Sequence, residues 1–201
     1  MYNPEYARVT DSERLFGYVD QNPFGTLITY SDAIRATHLP MLIGKDDAGI
    51  FLQGHMARAN EQWKGVDGTQ ALALFLGPDA YVSPRWLKTE HPVPTWNYVT
   101  VQARGILHVL EKEKRNEMVM NLVRKMEGDG EFLERVREKH YQIMLEATVG
   151  FEIRVTSLEG KWKLSQNHTP ESRKSIIENL MKSSDAGNSR IANLMEEVLS
   201  T

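Results

Sequence analysis

Seven or eight short stretches rich in β-branched and aromatic residues, most of them within the first 110 positions, constrain this chain more than any other feature. GTLITY (25–30), RATHLPMLI (35–43) and GIFLQG (49–54) follow at turn-length spacing, with GKDDAG (44–49) as the turn between the last two, and predict an antiparallel meander. TQALALFLG (69–77), AYVSP (80–84) and TWNYVTVQARGILHVL (95–110) continue it, and Gly105 predicts a bend or bulge in the last. GFEIRVTSL (150–158) is expected to turn at Glu159 and Gly160 and return as GKWKLSQN (160–167), a hairpin.

Helical patterns interrupt these strands without alternating with them. The first, over 11–21, is capped by Thr10 or Asp11, turns Leu15, Phe16 and Val19 inward, and is stopped by NPFG (22–25). A short one is predicted over 57–66. An insertion at about 111–147 reads as two amphipathic helices split by EGDG (127–130), with Met118, Leu122 and Met126, then Phe132, Val136, His140 and Met144, at four-residue spacing. A helical tail from 170 carries Ile176, Ile177, Leu180 and Met181, then Ile191, Leu194, Met195 and Val198. The order predicts a mainly β chain with peripheral helices (α+β), its strands forming a closed or nearly closed antiparallel barrel, because a doubly wound sheet needs regular alternation.

Composition narrows the chemistry. A chain without cysteine has no disulfide, no thiolate nucleophile and no Cys-based metal site. A net charge of -3 gives no overall footprint for nucleic acid. A locally basic stretch, 154–174, holds five Lys or Arg against two acids, too few for tight operator binding. The first residues mix charges and lack an apolar signal core, and ALALFL (71–76) is too short to span a bilayer, so a soluble, cytoplasmic protein without membrane contact is expected. G-x-S-x-G, H-E-x-x-H and G-x-G-x-x-G are all absent, and no catalytic residue is named.

FLQGHMARANEQW (51–63) is the densest unusual stretch: a strand ends at a glycine and turns into a short helix carrying His55, Arg58 and Asn60. Free amides and an arginine in a first turn suit a phosphate monoester. The same residues serve equally as a helix cap, a surface ion pair and a buried ring. His38, in THLP (37–40) ahead of Pro40, is either beside a ligand edge or on an edge strand. No acidic or sulfur ligand accompanies His38 and His55, so no metal site is predicted. In VPTWNY (93–98), alternation sends Trp96 and Tyr98 to one side and Asn97 to the other, into a site or toward an edge. In the octapeptide, Lys161, Lys163 and Ser165 share one face, and Trp162, Leu164 and Gln166 the other. The lysines suit a solvated edge strand, while the indole and amides suit a planar anionic ligand.

NPFGTLIT (22–29), ATHLP (36–40), GHMARAN with QW (54–63), FLGPDAYVSPRW (75–86), VPTWNYVTV (93–101), VGFEI (149–153) and GKWKLSQN (160–167) together resemble the PaiB-type FMN-binding negative transcriptional regulators. The likeness spans residues 1 to about 180. It departs at Leu87, where Tyr is common, and at His168, where Arg is commoner. The resemblance implies an antiparallel FMN-binding split β-barrel over 1–168 with a helical extension over 169–201. It also implies a homodimer with FMN sites at the subunit interface, acting on DNA or through a regulatory partner. The alternative it leaves is an FMN-dependent oxidoreductase, or a haem-binding or haem-degrading enzyme, of the same fold. By the same likeness the cofactor contacts are Thr37, His38, Leu39 and Pro40 along the flavin. Arg58, with Ala57 and Asn60, occupies the phosphate-gripping turn, Gln53, His55 and Ala59 are further cofactor contacts, and Trp96, Asn97 and the Trp162 segment with Lys161, Lys163 and Gln166 come from the facing subunit.

Overall fold

The computed structural model describes residues 1–135 and 138–199. Its strands are β1 (Arg8–Val9), β2 (Phe24–Tyr30), β3 (Ile34–Asp46), β4 (Gly49–Ala57), β5 (Thr69–Val82), β6 (Thr95–Val109) and β7 (Thr148–Lys163). Its helices are α1 (Ser12–Gln21), α2 (Lys112–Glu127), α3 (Glu131–Arg135), α4 (Lys139–Glu146), α5 (Pro170–Met181) and α6 (Ala186–Leu199). Asp11 is the cap of α1: its Oδ1 accepts from the amides of Glu13 (3.0 Å) and Arg14 (3.2 Å).

The chain forms two compact units. One comprises Phe16–Phe75 and Gln102–Leu158. In it the strand order β7-β4-β3-β2-β5-β6, with a further β7 to β6 pairing, closes the hydrogen-bonding circuit of an antiparallel sheet. Alternation along β2 and β3 sends Leu27, Leu39 and Met41 inward to meet Phe75 and Phe151 in the core, all at 4% exposure or less. The opposite face of β2, β3 and β5 stays apolar yet uncovered: Phe24, Tyr30 and Ile34 are 66%, 63% and 77% exposed. Gly105 lies in β6 where a methyl group would overlap the carbonyl of Arg154, so glycine there lets β6 and β7 approach. α2 packs on β4 and buries Met118 and Leu122, whereas Met126 and Met144 face solvent. Among the described residues the insertion forms three helices where two are expected; Val136 and the Phe132 side chain lie outside what the structure describes.

The other unit comprises Met1–Leu15, Leu76–Val101 and the chain from Glu159 onward. α5 and α6 bury Ile176, Leu180, Ile191 and Met195 within it. β1 pairs with the end of β7, Val9 opposite Gly160.

Three expectations need correction. The predicted hairpin at Glu159 and Gly160 does not exist, because β7 runs unbroken through both. Gly160 makes no turn; a methyl there would overlap Leu15 and come within 2.7 Å of the Trp162 ring, so its smallness serves packing. The stretches 69–77 and 80–84 are a single strand that passes through Gly77 and Pro78. The helix expected over 57–66 shrinks to one 3-10 turn, Glu61–Trp63, because β4 extends to Ala57.

Candidate functional site

The turn that ends β4 is built from three side chains holding backbone. Arg58 donates from Nε to the Glu146 carbonyl (2.9 Å) and from Nη2 to that of Thr148 (3.1 Å), while its amide bonds Ala147 (2.7 Å). Its guanidinium stacks 5.9 Å from the Trp63 ring, whose Nε1 donates to the Arg58 carbonyl (3.1 Å). The group is thus oriented rigidly on an exposed surface, and among the described residues its Nη1 makes no hydrogen bond. A fixed guanidinium with one end free suits a phosphate or carboxylate arriving from solvent. Ala59 is exposed in the same turn.

Next to it, the Asn60 side chain caps the 3-10 turn by accepting from the Gln62 amide (3.1 Å) and donates Nδ2 to the Thr37 hydroxyl (2.8 Å). Thr37 donates to Gln62 Oε1, and Gln62 Nε2 donates to the carbonyls of Leu27 (3.0 Å) and Arg35 (3.2 Å). Gln62 is 2% exposed and anchors the whole cluster. Sequence reasoning did not single it out, because its acceptors lie 27 and 35 residues away.

Thr37 and His38 point to opposite sides of β3, as period two requires. His38 is exposed and shares a 2.8 Å hydrogen bond with Thr26 across the β2 register. Leu39 is core, and Pro40 sits half-buried opposite Phe24. Gln53 is engaged in a polar chain: it donates to Glu152 (2.7 Å), which pairs with Arg154, which pairs with Asp46. His55 is half-buried, and among the described residues its buried Nδ1 has no hydrogen-bond partner. The structure therefore gathers Thr37, Arg58, Ala59 and Asn60 in one place and sets Leu39 and Gln53 to structural duties.

Burial pushes the His55 ring below the usual histidine pKa. The unfolded chain takes up this proton as pH falls below about 6.5, where the folded state still refuses it. Stability contributed by the neutral ring is present above that pH and lost on acidification. The wild-type melting temperature is expected to fall more between pH 7 and pH 5 than that of His55→Leu; equal slopes would contradict this. His168 shifts in the same direction, through burial and the Lys163 charge, so it contributes equally to both proteins in the comparison.

The remaining six candidates lie in the other unit. Asn97 is wholly buried, accepting from the Ser165 hydroxyl (3.0 Å) and donating toward Met195 Sδ (3.3 Å). Lys161, 6% exposed, donates to the Tyr2 carbonyl (3.1 Å) with its ammonium over the rings of Tyr2 and Tyr98. Lys163 donates to Thr95 and to the Trp96 carbonyl (2.7 Å); burial, then the charge of Lys161, lowers its pKa. Trp162 is 4% exposed, beneath the Arg14 guanidinium at 5.4 Å. Gln166 folds back, accepting from the Leu164 amide (2.7 Å) and donating to the Trp162 carbonyl (2.6 Å). Only Trp96 offers a large open face, 52% exposed and edge-on to Tyr81. Instead of a half-exposed strand, the octapeptide is a buried anchor whose cations rest on carbonyl oxygens and aromatic faces.

A cleft of about 910 Å³ contains none of these residues. It lies in the first unit on the outward side, where Ile28, Tyr30, Ile34 and Leu72 face Arg104 and Thr156. Among the described residues no helix is long and apolar enough to cross a membrane.

Residues 1–157 match the family model described as "Putative FMN-binding domain". The chain is 35% identical over 204 residues to "Protease synthase and sporulation protein PAI 2" of Bacillus subtilis, covering 99% of this chain and 98% of that one. Among solved structures, it resembles the flavocytochrome Anf3 of Azotobacter vinelandii (TM-score 0.62, 16% identity, 78% of this chain and 69% of that one). It also resembles the FAD and heme binding protein of Mycobacterium smegmatis (TM-score 0.60, 16% identity, 78% and 73%). The antiparallel sheet thus has the split-barrel flavoprotein fold.

Proposed function

This chain belongs to the FMN-binding domain family, and from that premise we propose that it is a homodimeric FMN protein of PaiB type acting as a cytoplasmic negative transcriptional regulator. One observation carries the cofactor assignment: the exposed guanidinium of Arg58 at the end of β4, pinned through Nε and Nη2. Arg58 would hold the cofactor's phosphate, and its two carbonyl tethers mean that little rotamer entropy is lost on binding. A bound flavin would supply redox chemistry or serve as the sensed ligand. The protein's part is to bind and orient it.

Support for the dimer comes from the uncovered apolar face of β2, β3 and β5, with Phe24, Tyr30 and Ile34 exposed. Sedimentation at micromolar concentration showing only monomer contradicts it. The regulatory role draws support from the likeness to the Bacillus subtilis relative, whose name includes sporulation. With a net charge of -3, regulation runs through a partner protein or weak DNA contact. A second reading, an oxidoreductase, is favoured by the flavocytochrome likeness. Rapid anaerobic bleaching of bound flavin by NADPH supports the enzyme; inert flavin with a gel shift on the protein's own promoter supports the regulator.

The cofactor assignment is tested by titrating apoprotein with FMN and following fluorescence quenching. Arg58→Ala is expected to weaken binding by about 2 kcal/mol, roughly thirtyfold, since a charge-assisted contact is lost. An unchanged affinity would place the phosphate elsewhere.

A further inference from the structure

The hydrogen bonds around Gln62 have a direction that is fully determined. Nε2 donates to two carbonyls, Leu27 and Arg35, so the amide cannot be turned over, and Oε1 must face Thr37. The single Thr37 hydroxyl proton is therefore committed to Gln62. Asn60 is fixed in the same way, because its Oδ1 accepts from the Gln62 amide and its Nδ2 must point to Thr37. What this cluster leaves unused among the described residues is one lone pair on Thr37 Oγ1 and one N–H on Asn60 Nδ2, on heavy atoms 2.8 Å apart. Both residues are half-buried.

An acceptor beside a donor is a poor seat for phosphate. Every oxygen of a phosphate monoester is an acceptor or carries charge, and it would meet the Thr37 lone pair with no proton between them. An amide or imide edge is the complementary partner, since it offers an N–H next to a carbonyl at comparable spacing. Resting on the flavin assignment above, we infer that Gln62 sets the polarity of the Thr37 and Asn60 pair so that it reads the imide edge of the flavin's pyrimidine ring. Thr37 accepts from the ring N3–H and Asn60 donates to a neighbouring carbonyl. Arg58 keeps the phosphate. Thr37 and Asn60 become specificity residues, and Gln62 a positioning residue that never touches the ligand.

The test compares FMN with N3-methyl-FMN, which lacks the imide proton but keeps the phosphate, by fluorescence titration of the full chain. Wild type is expected to prefer FMN by about tenfold or more, as losing one hydrogen bond and leaving Thr37 Oγ1 facing a methyl both disfavour the analogue. Thr37→Ser should keep the preference. Thr37→Val should bind the two flavins within about twofold of each other, because its methyl groups have no acceptor to lose. Gln62→Glu sets a carboxylate against two carbonyl oxygens and costs stability, so Thr37→Val and the wild-type ratio carry the test. A Thr37→Val protein that keeps the wild-type preference overturns the inference, as does a wild type that binds both flavins equally tightly. A wild type that binds neither overturns the flavin assignment itself, and this inference with it.

Discussion

Trp162→Ala is expected to destabilise the protein by about 3–5 kcal/mol, the range for removing a large buried aromatic from a packed site. The indole is 4% exposed, lies under Arg14, and has Gly160 beside it because nothing larger fits between Leu15 and the ring. Truncation leaves a cavity whose walls, fixed by the β1 to β7 pairing of Val9 with Gly160, have little freedom to collapse. Urea unfolding of the variant measures this directly. A loss below about 1 kcal/mol would mean that the site collapses around alanine or that the indole is not packed as described. Any accompanying loss of flavin affinity should disappear once the folded fraction is taken into account.

Gly105→Val is the second large effect, at about 3 kcal/mol or more. A Cβ at this position would overlap the Arg154 carbonyl oxygen and sit 2.7 Å from its carbon. Ordinary overpacking is relieved by rotating a neighbouring side chain. Here the obstacle is backbone in the adjoining strand, so β6 and β7 must separate and lose pairing, including the Thr156 hydroxyl bond to the Arg104 carbonyl. Hydrogen exchange should show the loss of protection concentrated in β6 and β7. A variant as stable as wild type would show that the two strands are not in such close approach.

The residues that announce themselves locally were the ones that could be read. α1 follows from Asp11 as cap and from NPFG as stop, both features of adjacent residues. The meander from β2 to β4 follows from alternation and from a turn rich in Gly and Asp. Glu159 and Gly160 misled for the same reason: locally the pair has turn composition, whereas the glycine answers to Leu15 and Trp162, contacts that no local window contains. For Lys161 the sequence offers a solvated edge or a cofactor contact, whereas a carbonyl and two tyrosine rings satisfy its ammonium inside the protein, and Tyr2 is far away in the chain. The anchoring role of Gln62 was likewise hidden, because a buried amide is defined by its acceptors on β2 and β3. Arg58 stands out in the sequence as a cation in a turn, yet only the structure shows that two carbonyls hold its Nε and Nη2.

The central claim, that this fold holds a flavin at the end of β4, is tested most directly by the visible absorption spectrum of the purified protein after saturation with FMN and removal of unbound ligand. Two flavin bands that persist in wild type and are much reduced in Arg58→Ala at the same protein concentration are the predicted result. A wild-type protein that emerges colourless, or one whose flavin bands are the same with and without Arg58, would contradict it.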